Sequence, residues 1–417
     1  MIPVSRSALE AMVARRQPGH SLEAAFYVSP ELYDADLRLI FEKSWLFVAS
    51  EPEVPEPGDY VTVQVGRNSV ILVRDDDMQV RAFHNVCRHR GSRLLLDPKG
   101  ITGNLVCPYH QWTYDLGGRL IHAEGMQRCI DGGRHDLKPV ALRNLAGLLY
   151  VSLSDAPPAD FDDMAADLTP YLTPHRIGRC KVAHQNETVE EGNWKLTMEN
   201  NRECYHCGGH PELLRSLFHF FGEIGDVPES QREELQRYQS TNAEMAAIWE
   251  DSGLPWRFID KLNGRPTGYR IERLPLDGPG ESYTMDARRA CKKLVGGFTN
   301  ARLGTLSVHT QPNAWFHFLG DHAVTFSVLP LAADRTLVRT TWLVDQEAVE
   351  GVDYDVANLT QVWNATNRQD GSFVSWAHTG AQSLAYEPGP YTQPEYMCDK
   401  FCTWYTERLT AGLPELT

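Results

Sequence analysis

The sequence predicts an α+β protein built around two separate antiparallel sheets. Three observations predict it. Short strand-like runs bounded by turn residues occur in two distant parts of the chain. A long helical pattern follows the second of these parts. The length, 417 residues, exceeds one ordinary core, so two or three domains are expected.

Taken in order, Leu32, Leu37, Ile40, Phe41 and Trp45 recur at roughly helical spacing and predict an amphipathic helix within an N-terminal segment, residues 1–45. The breaker-rich stretch Glu51 to Gly58 marks the entrance to a β-rich domain, residues 46–155. Tyr60–Val65, Val70–Arg74 and Gln79–His84 read as its strands, with Asp75-Asp76-Asp77 as a hairpin turn, and more short strands run to Leu153. Ala156-Pro157-Pro158 opens a third region, residues 156–417. Connecting structure is expected up to about Arg215, with a helix beginning near Trp194. Residues 225–290 are mixed and polar and carry no assignment. Leu306–Val308, Ala314–Leu319, Ala323–Leu329 and Thr336–Val344 predict antiparallel strands, and Gly351 to Tyr386 a long helix.

The composition is ordinary for a globular protein, with 42% hydrophobic and 23% charged residues. Lys+Arg 40 against Asp+Glu 55 gives a net charge of −15, and no basic patch suggests nucleic acid. The acidic balance suits solubility or docking to a basic redox partner. No run approaches the roughly 18 apolar residues of a membrane span. Met1 to Gly19 lacks a secretory apolar core, and nine scattered cysteines show no disulfide framework. These features predict a cytoplasmic protein without membrane or nucleic-acid partners.

Two constellations carry chemistry. Cys87 and His89 form C-x-H, and after seventeen intervening residues Cys107 and His110 form C-x2-H. Two loops, each offering one thiolate and one imidazole, can clamp a [2Fe–2S] cluster with sulfur on one iron and nitrogen on the other. A zinc ion would accept the same four donors, although zinc fingers usually pair Cys with Cys and His with His along the chain. Downstream, His206 and His210 would share one face if helical, and two histidines with one carboxylate suit a non-haem iron. Cys204 and Cys207 beside them read as buried thiols, or as a C-x-x-C site for zinc or redox chemistry.

These motifs, with Gly118-Arg119-Leu120, Asn193-Trp194-Lys195 and Glu199 through Glu212, resemble the α subunits of Rieske-type non-haem iron oxygenases from Phe47 to Trp404. The resemblance implies a Rieske [2Fe–2S] domain followed by a helix-grip catalytic domain with an antiparallel sheet and a long C-terminal helix. It selects Asp370 as the third iron ligand, and Glu203 as a carboxylate linking cluster and iron across subunits of a homotrimer. Many members place four residues between the two histidines, whereas this chain places three. The resemblance also implies Fe(II), O2 as co-substrate, and electrons from NAD(P)H through a separate flavin/iron-sulfur reductase. No G-x-G-x-x-G dinucleotide fingerprint occurs in this chain.

The string from Glu199 to Cys207, with His210 to Leu213, is similar to oxygenases of quaternary ammonium compounds, the glycine betaine and proline betaine demethylases, with carnitine and choline monooxygenases as relatives. The implied reaction is N-demethylation with release of formaldehyde. Ring-hydroxylating dioxygenases of aromatic compounds and a Rieske electron-transfer protein are the alternatives. A trimethylammonium group donates no hydrogen bond and is held by aromatic faces. Tyr205, Trp315, His317 and Phe318 are therefore candidate contacts. Strand alternation would aim Trp315 and His317 one way and Phe316 and Phe318 the other.

Overall fold

In the computed structural model, residues 5–126, 133–219 and 227–415 are described. The first β-rich region forms where its turn chemistry dictates. Asp59–Val65, Asn68–Arg74 and Val80–His84 pair antiparallel, and Lys99–Ile101 completes a four-stranded sheet. The Asp75 carboxylate accepts the backbone N–H groups of Asp77 (3.0 Å) and Gln79 (2.7 Å), which fixes the hairpin at the predicted place. Leu105–Val106, Thr113–Tyr114 and Leu120–His122 form a small second sheet. A third sheet, Leu46–Ser50 with Leu148–Ser152 and Ala141–Leu145, leans on the next region through Phe47, whose ring meets Phe316 edge-on at 4.7 Å.

The larger sheet has seven antiparallel strands in the order Cys180–Glu190, Arg335–Asp345, Ala323–Ala332, Ala314–Phe318, Thr305–Thr310, Tyr269–Leu274, Ile259–Lys261. One face packs Leu306, Val308, Phe316 and Phe318 against the helix Phe161–Leu172. The other packs Val324, Phe326 and Trp342 with Val362 and Trp363 of the helix Val356–Ala381. The Asp355 side chain accepts the N–H of Asn358 (2.9 Å) and so starts that helix inside the predicted span.

Several elements lie outside the sequence expectations, among them the helix Phe161–Leu172 and the strands Ile259–Lys261 and Tyr269–Leu274. The strand Cys180–Glu190 occupies the region read as connecting structure; it lies at the sheet edge, and its half-exposed residues blur the alternation. The helix Arg232–Asp251 is polar nearly all round and buries only Leu235, Met245 and Trp249. A further helix, Tyr396–Gly412, follows the long one. The N-terminal expectation holds in its burial: Leu32, Leu37, Ile40, Phe41 and Trp45 are all buried, with Pro30–Asp36 α-helical and Leu37–Phe41 a wider turn.

The helix near Trp194 starts where predicted but ends at Asn200. It is fixed from both chain ends. Asp36 and Lys195 form an ion pair with both side chains fully buried. The Asp36 carboxylate also accepts from Trp194 Nε1 (2.9 Å) and Tyr405 Oη (2.6 Å). One turn later the Glu199 carboxylate accepts from Tyr27 Oη (2.8 Å) and Tyr391 Oη (2.6 Å). Burial raises the Glu199 pKa to about 7 despite these bonds. Among the described residues, no helix is long and apolar enough to cross a membrane.

Removing one partner of a buried pair leaves the other charge without compensation. Lys195→Met is therefore expected to destabilise the fold by about 3–5 kcal/mol in denaturant unfolding, well above the effect of an exposed Lys→Met change.

Candidate metal centres

The first centre is built from two loops with the same backbone design. The N–H of Cys87 donates to Ser92 O (2.8 Å) and that of Gly91 to Cys87 O (3.0 Å). The N–H of Cys107 donates to Trp112 O (2.8 Å) and that of Gln111 to Cys107 O (3.0 Å). Each loop thus closes at the fourth residue after its cysteine, and both closing residues are left-handed: Gly91 at φ 75° and Gln111 at φ 59°. Glycine takes this conformation freely; glutamine does so only under the constraint of the loop.

Cys87 and Cys107 are buried, whereas His89 and His110 are exposed with ring centroids 4.7 Å apart. Two sulfurs inside and two imidazoles outside is the donor set that a [2Fe–2S] cluster with mixed ligation requires. Burial and the neighbouring Cys107 push the Cys87 thiol pKa up, while Tyr114 Oη, 3.4 Å from its sulfur, and a backbone hydrogen bond oppose this. Tyr114 Oη also accepts the N–H of Arg88 (3.0 Å), so it steadies the first loop.

The second centre departs from the helix expected for His206 and His210. Past Asn200 the chain turns, and a single 3₁₀ turn, Cys207–Gly209, separates the two histidines. A Cβ on Gly209 would lie 2.8 Å from the Phe373 ring, so glycine permits the close approach to the long helix. Cys204 and Cys207 are joined in a disulfide, which corrects the expectation of two buried thiols: Cys204 is exposed and only Cys207 is buried. The Cys207 sulfur lies within 4.8 Å of the imidazole donors, but in the disulfide it offers no thiolate.

The structure brings His206, His210 and Asp370 together. Asp370 Oδ1 lies 3.3 Å from His206 Nε2 and 3.0 Å from His210 Nε2. His210 Nε2 and Asp370 Oδ1 are nonetheless buried without a hydrogen-bond partner. The outer nitrogens are committed elsewhere. His206 Nδ1 donates to Glu203 Oε1 (2.5 Å), and His210 Nδ1 to Gln369 Oε1 (2.9 Å), whose amide in turn donates to Glu212 Oε2 (2.8 Å). With Nδ1 fixed, the Nε2 of each ring is turned toward Asp370, and His206 Nε2 also lies 3.4 Å from Asn200 Nδ2. This fits a divalent metal held by two histidines and a carboxylate. Burial disfavours charge on His206, but Asp370 and Glu203 outweigh it and raise its pKa to about 9. The pocket is set for a cation.

A cavity of about 120 Å³ opens beside these three residues. Of the predicted aromatic contacts, His317 lines it. Trp315 points to the same side of its strand but stacks on Phe326 (4.8 Å) behind the wall, Phe318 points to the opposite face beside His175, and Tyr205 is exposed and not part of the lining. Tyr283, His309 and Trp363 also line the cavity and were missed. Trp363 carried a signal, because it stands two helical turns before Asp370. Tyr283 and His309 carried none; Tyr283 falls in the unassigned polar segment.

Comparison with known proteins places this geometry. Residues 44–141 match the Rieske [2Fe-2S] domain, and residues 177–411 match the family "Ring hydroxylating alpha subunit (catalytic domain)". The chain belongs to the Rieske ring-hydroxylating oxygenase α-subunit family. It is 45% identical to the glycine betaine monooxygenase oxygenase subunit of Chromohalobacter salexigens, over 100% of this chain and 92% of the relative. It is 42% identical to the protein of the same description from Pseudomonas aeruginosa, over 99% and 94%. The fold matches the crystal structure of the apo form of a quaternary ammonium Rieske monooxygenase, CntA, with a TM-score of 0.68 at 20% identity, over 98% of this chain and 99% of that one. As a family member the protein is an oxygenase whose Rieske domain and catalytic domain imply a [2Fe–2S] cluster and a mononuclear iron.

Asp370→Ala removes the only carboxylate of the triad and leaves the cluster loops untouched. Metal analysis of the purified variant should show mononuclear iron down at least tenfold relative to wild type, with the visible absorption of the cluster retained.

Proposed function

We propose that this chain is the oxygenase component of a monooxygenase that removes one N-methyl group from a quaternary ammonium compound, with glycine betaine as the foremost substrate. The observation that carries the reading is the cavity itself. It is walled by Trp363, Tyr283 and His317, with Trp363 and Tyr283 centroids 5.0 Å apart and His317 stacked on Trp363 at 4.7 Å. Such faces hold a cation that cannot accept or donate a hydrogen bond. Burial lowers the His317 pKa to about 3, so the ring is neutral and does not repel the ammonium group. Asp370 and Glu203 line the metal side of the same cavity and offset the charge of a divalent cation held there. The full-length likeness to glycine betaine monooxygenase oxygenase subunits supports the same substrate.

We assign Cys87, His89, Cys107 and His110 to the cluster, and His206, His210 and Asp370 to the iron. Iron held there supplies oxygen activation next to the bound methyl group. The residues around it orient the substrate: aromatic faces fix the ammonium nitrogen, and the Asp370 side of the cavity directs one methyl toward the metal donors. Two electrons, two protons and O2 convert the N-methyl to N-hydroxymethyl and water. That product then expels formaldehyde and a proton, leaving the tertiary amine. NAD(P)H supplies the electrons through a separate flavin/iron-sulfur reductase.

Glu203 serves as the link between redox sites in a homotrimer. Its carboxylate holds His206 on one side, and exposed His89 and His110 leave the cluster edge open to a neighbouring subunit. We place the assembly in the cytoplasm, where reduced nicotinamide is available; buried thiols such as Cys180, Cys291 and Cys402 accord with this.

Reconstituted protein with reductase and NADH should release formaldehyde and dimethylglycine from glycine betaine in a one-to-one ratio, in step with oxygen consumed. Carnitine, choline and an aromatic acid should react at least tenfold more slowly. Hydroxylation of the aromatic acid, with no formaldehyde from any quaternary amine, would replace this reading by that of a ring dioxygenase.

A further inference from the structure

Away from the metal donors, the cavity approaches a group of buried donors without acceptors. Arg202 is fully buried, and among the described residues no carboxylate forms an ion pair with it; the Cys398 thiol and the Arg270 guanidinium lie near enough to act on its charge. Its Nη1 donates to Asn201 Oδ1 (3.0 Å) and its Nη2 to Gln311 Oε1 (3.1 Å), both neutral amides. Arg202 Nε, Gln311 Nε2 and His309 Nδ1 are all buried without a hydrogen-bond partner. Arg270, the other nearby cation, is already paired with Glu272.

A guanidinium only donates. Asn201 and Gln311 must therefore turn their oxygens toward Arg202 and their NH2 groups away from it. Asn201 and His309 line the cavity. The positive charge of Arg202 also reaches His309, and together with burial it holds that imidazole neutral, well below its ordinary pKa. An isolated buried cation ringed by unmet donors is costly in a protein interior unless an anion shares the site.

We infer that Arg202, through Asn201 and Gln311, and His309 form the subsite for the carboxylate of the substrate, so that the cavity is matched to a zwitterion and not merely to a quaternary cation. This inference rests on the proposed function and extends it. Acidic groups and aromatic faces meet the ammonium end near the metal donors, and the donor cluster meets the carboxylate end. Arg202 and Gln311 are positioning residues; His309 and Asn201 are the groups that face the ligand.

The test compares glycine betaine with its carboxamide, the N,N,N-trimethylglycinamide cation, in which a neutral amide replaces the carboxylate, in the reconstituted holoenzyme with reductase. Wild type should prefer the carboxylate by about 100-fold or more in kcat/KM. His309→Leu and Gln311→Leu should each shrink that preference at least tenfold, chiefly through a higher KM for glycine betaine. Arg202→Met should shrink it further, and Arg202→Lys should restore part of it, which a purely structural role would not do. If Arg202→Met does not fold, the His309 and Gln311 variants still decide. A preference unchanged within about twofold, with both substrates weakened alike, would overturn the subsite. Equal use of both compounds by wild type would also overturn it while leaving N-demethylation standing. Turnover of neither compound would remove the underlying reading and this one together.

Discussion

The arrangement depends on one constraint: two imidazoles and a carboxylate from two remote segments must meet at one wall of a cavity with their outer atoms held elsewhere. His210 Nε2 and Asp370 Oδ1 stand 3.0 Å apart and yet make no hydrogen bond. Two imidazoles and a carboxylate so placed form a donor set that suits a divalent metal. The outer nitrogens are held by Glu203 and Gln369, so neither ring can rotate to find another partner. Much of the surrounding fold can be understood as the means of holding that geometry.

The segment that delivers the histidines is short and irregular, and it hangs from the helix Trp194–Asn200. That helix owes its position to the Asp36–Lys195 pair and to the Tyr27 and Tyr391 hydroxyls on Glu199. Both chain ends therefore converge on the same seven-residue element. Asp370 comes from the opposite side, on a helix that packs across the seven-stranded sheet. Gly209 against Phe373 closes the gap between the two. The cavity they enclose is electrically asymmetric, with carboxylates and aromatic faces around the metal donors and buried donors beyond His309. The proposed preference for a zwitterion rests on that asymmetry, because electrostatic interactions strengthen at short distance and low local dielectric.

What the sequence makes legible depends on how local the information is. The cluster loops are legible because all four donors lie within 24 residues, Cys87 to His110, in motifs whose spacing has few other uses. The hairpin over Asp75 is legible because one side chain sets the turn. The histidine pair is half legible: the spacing of four suggests one helical face, but glycines at 208 and 209 and the Cys204–Cys207 disulfide favour a 3₁₀ turn that reaches the same end by another path. Asp370 is not legible from physics alone, since nothing local distinguishes it from other helical acids; only the family resemblance singles it out. The edge strand Cys180–Glu190 hides because neither of its faces is fully buried, and the polar helix Arg232–Asp251 because it buries three side chains in twenty residues. Tertiary convergence, as at Tyr283 and His309, leaves no trace in a single sequence.

The most direct test of the account is a single turnover without reductase. Protein loaded with cluster and iron is reduced chemically, freed of reductant, and exposed to oxygen with glycine betaine. The cluster absorption should return and dimethylglycine should form in proportion to the electrons released, whereas Asp370→Ala should yield none. A wild-type cluster that reoxidises fully with no dimethylglycine formed would contradict it.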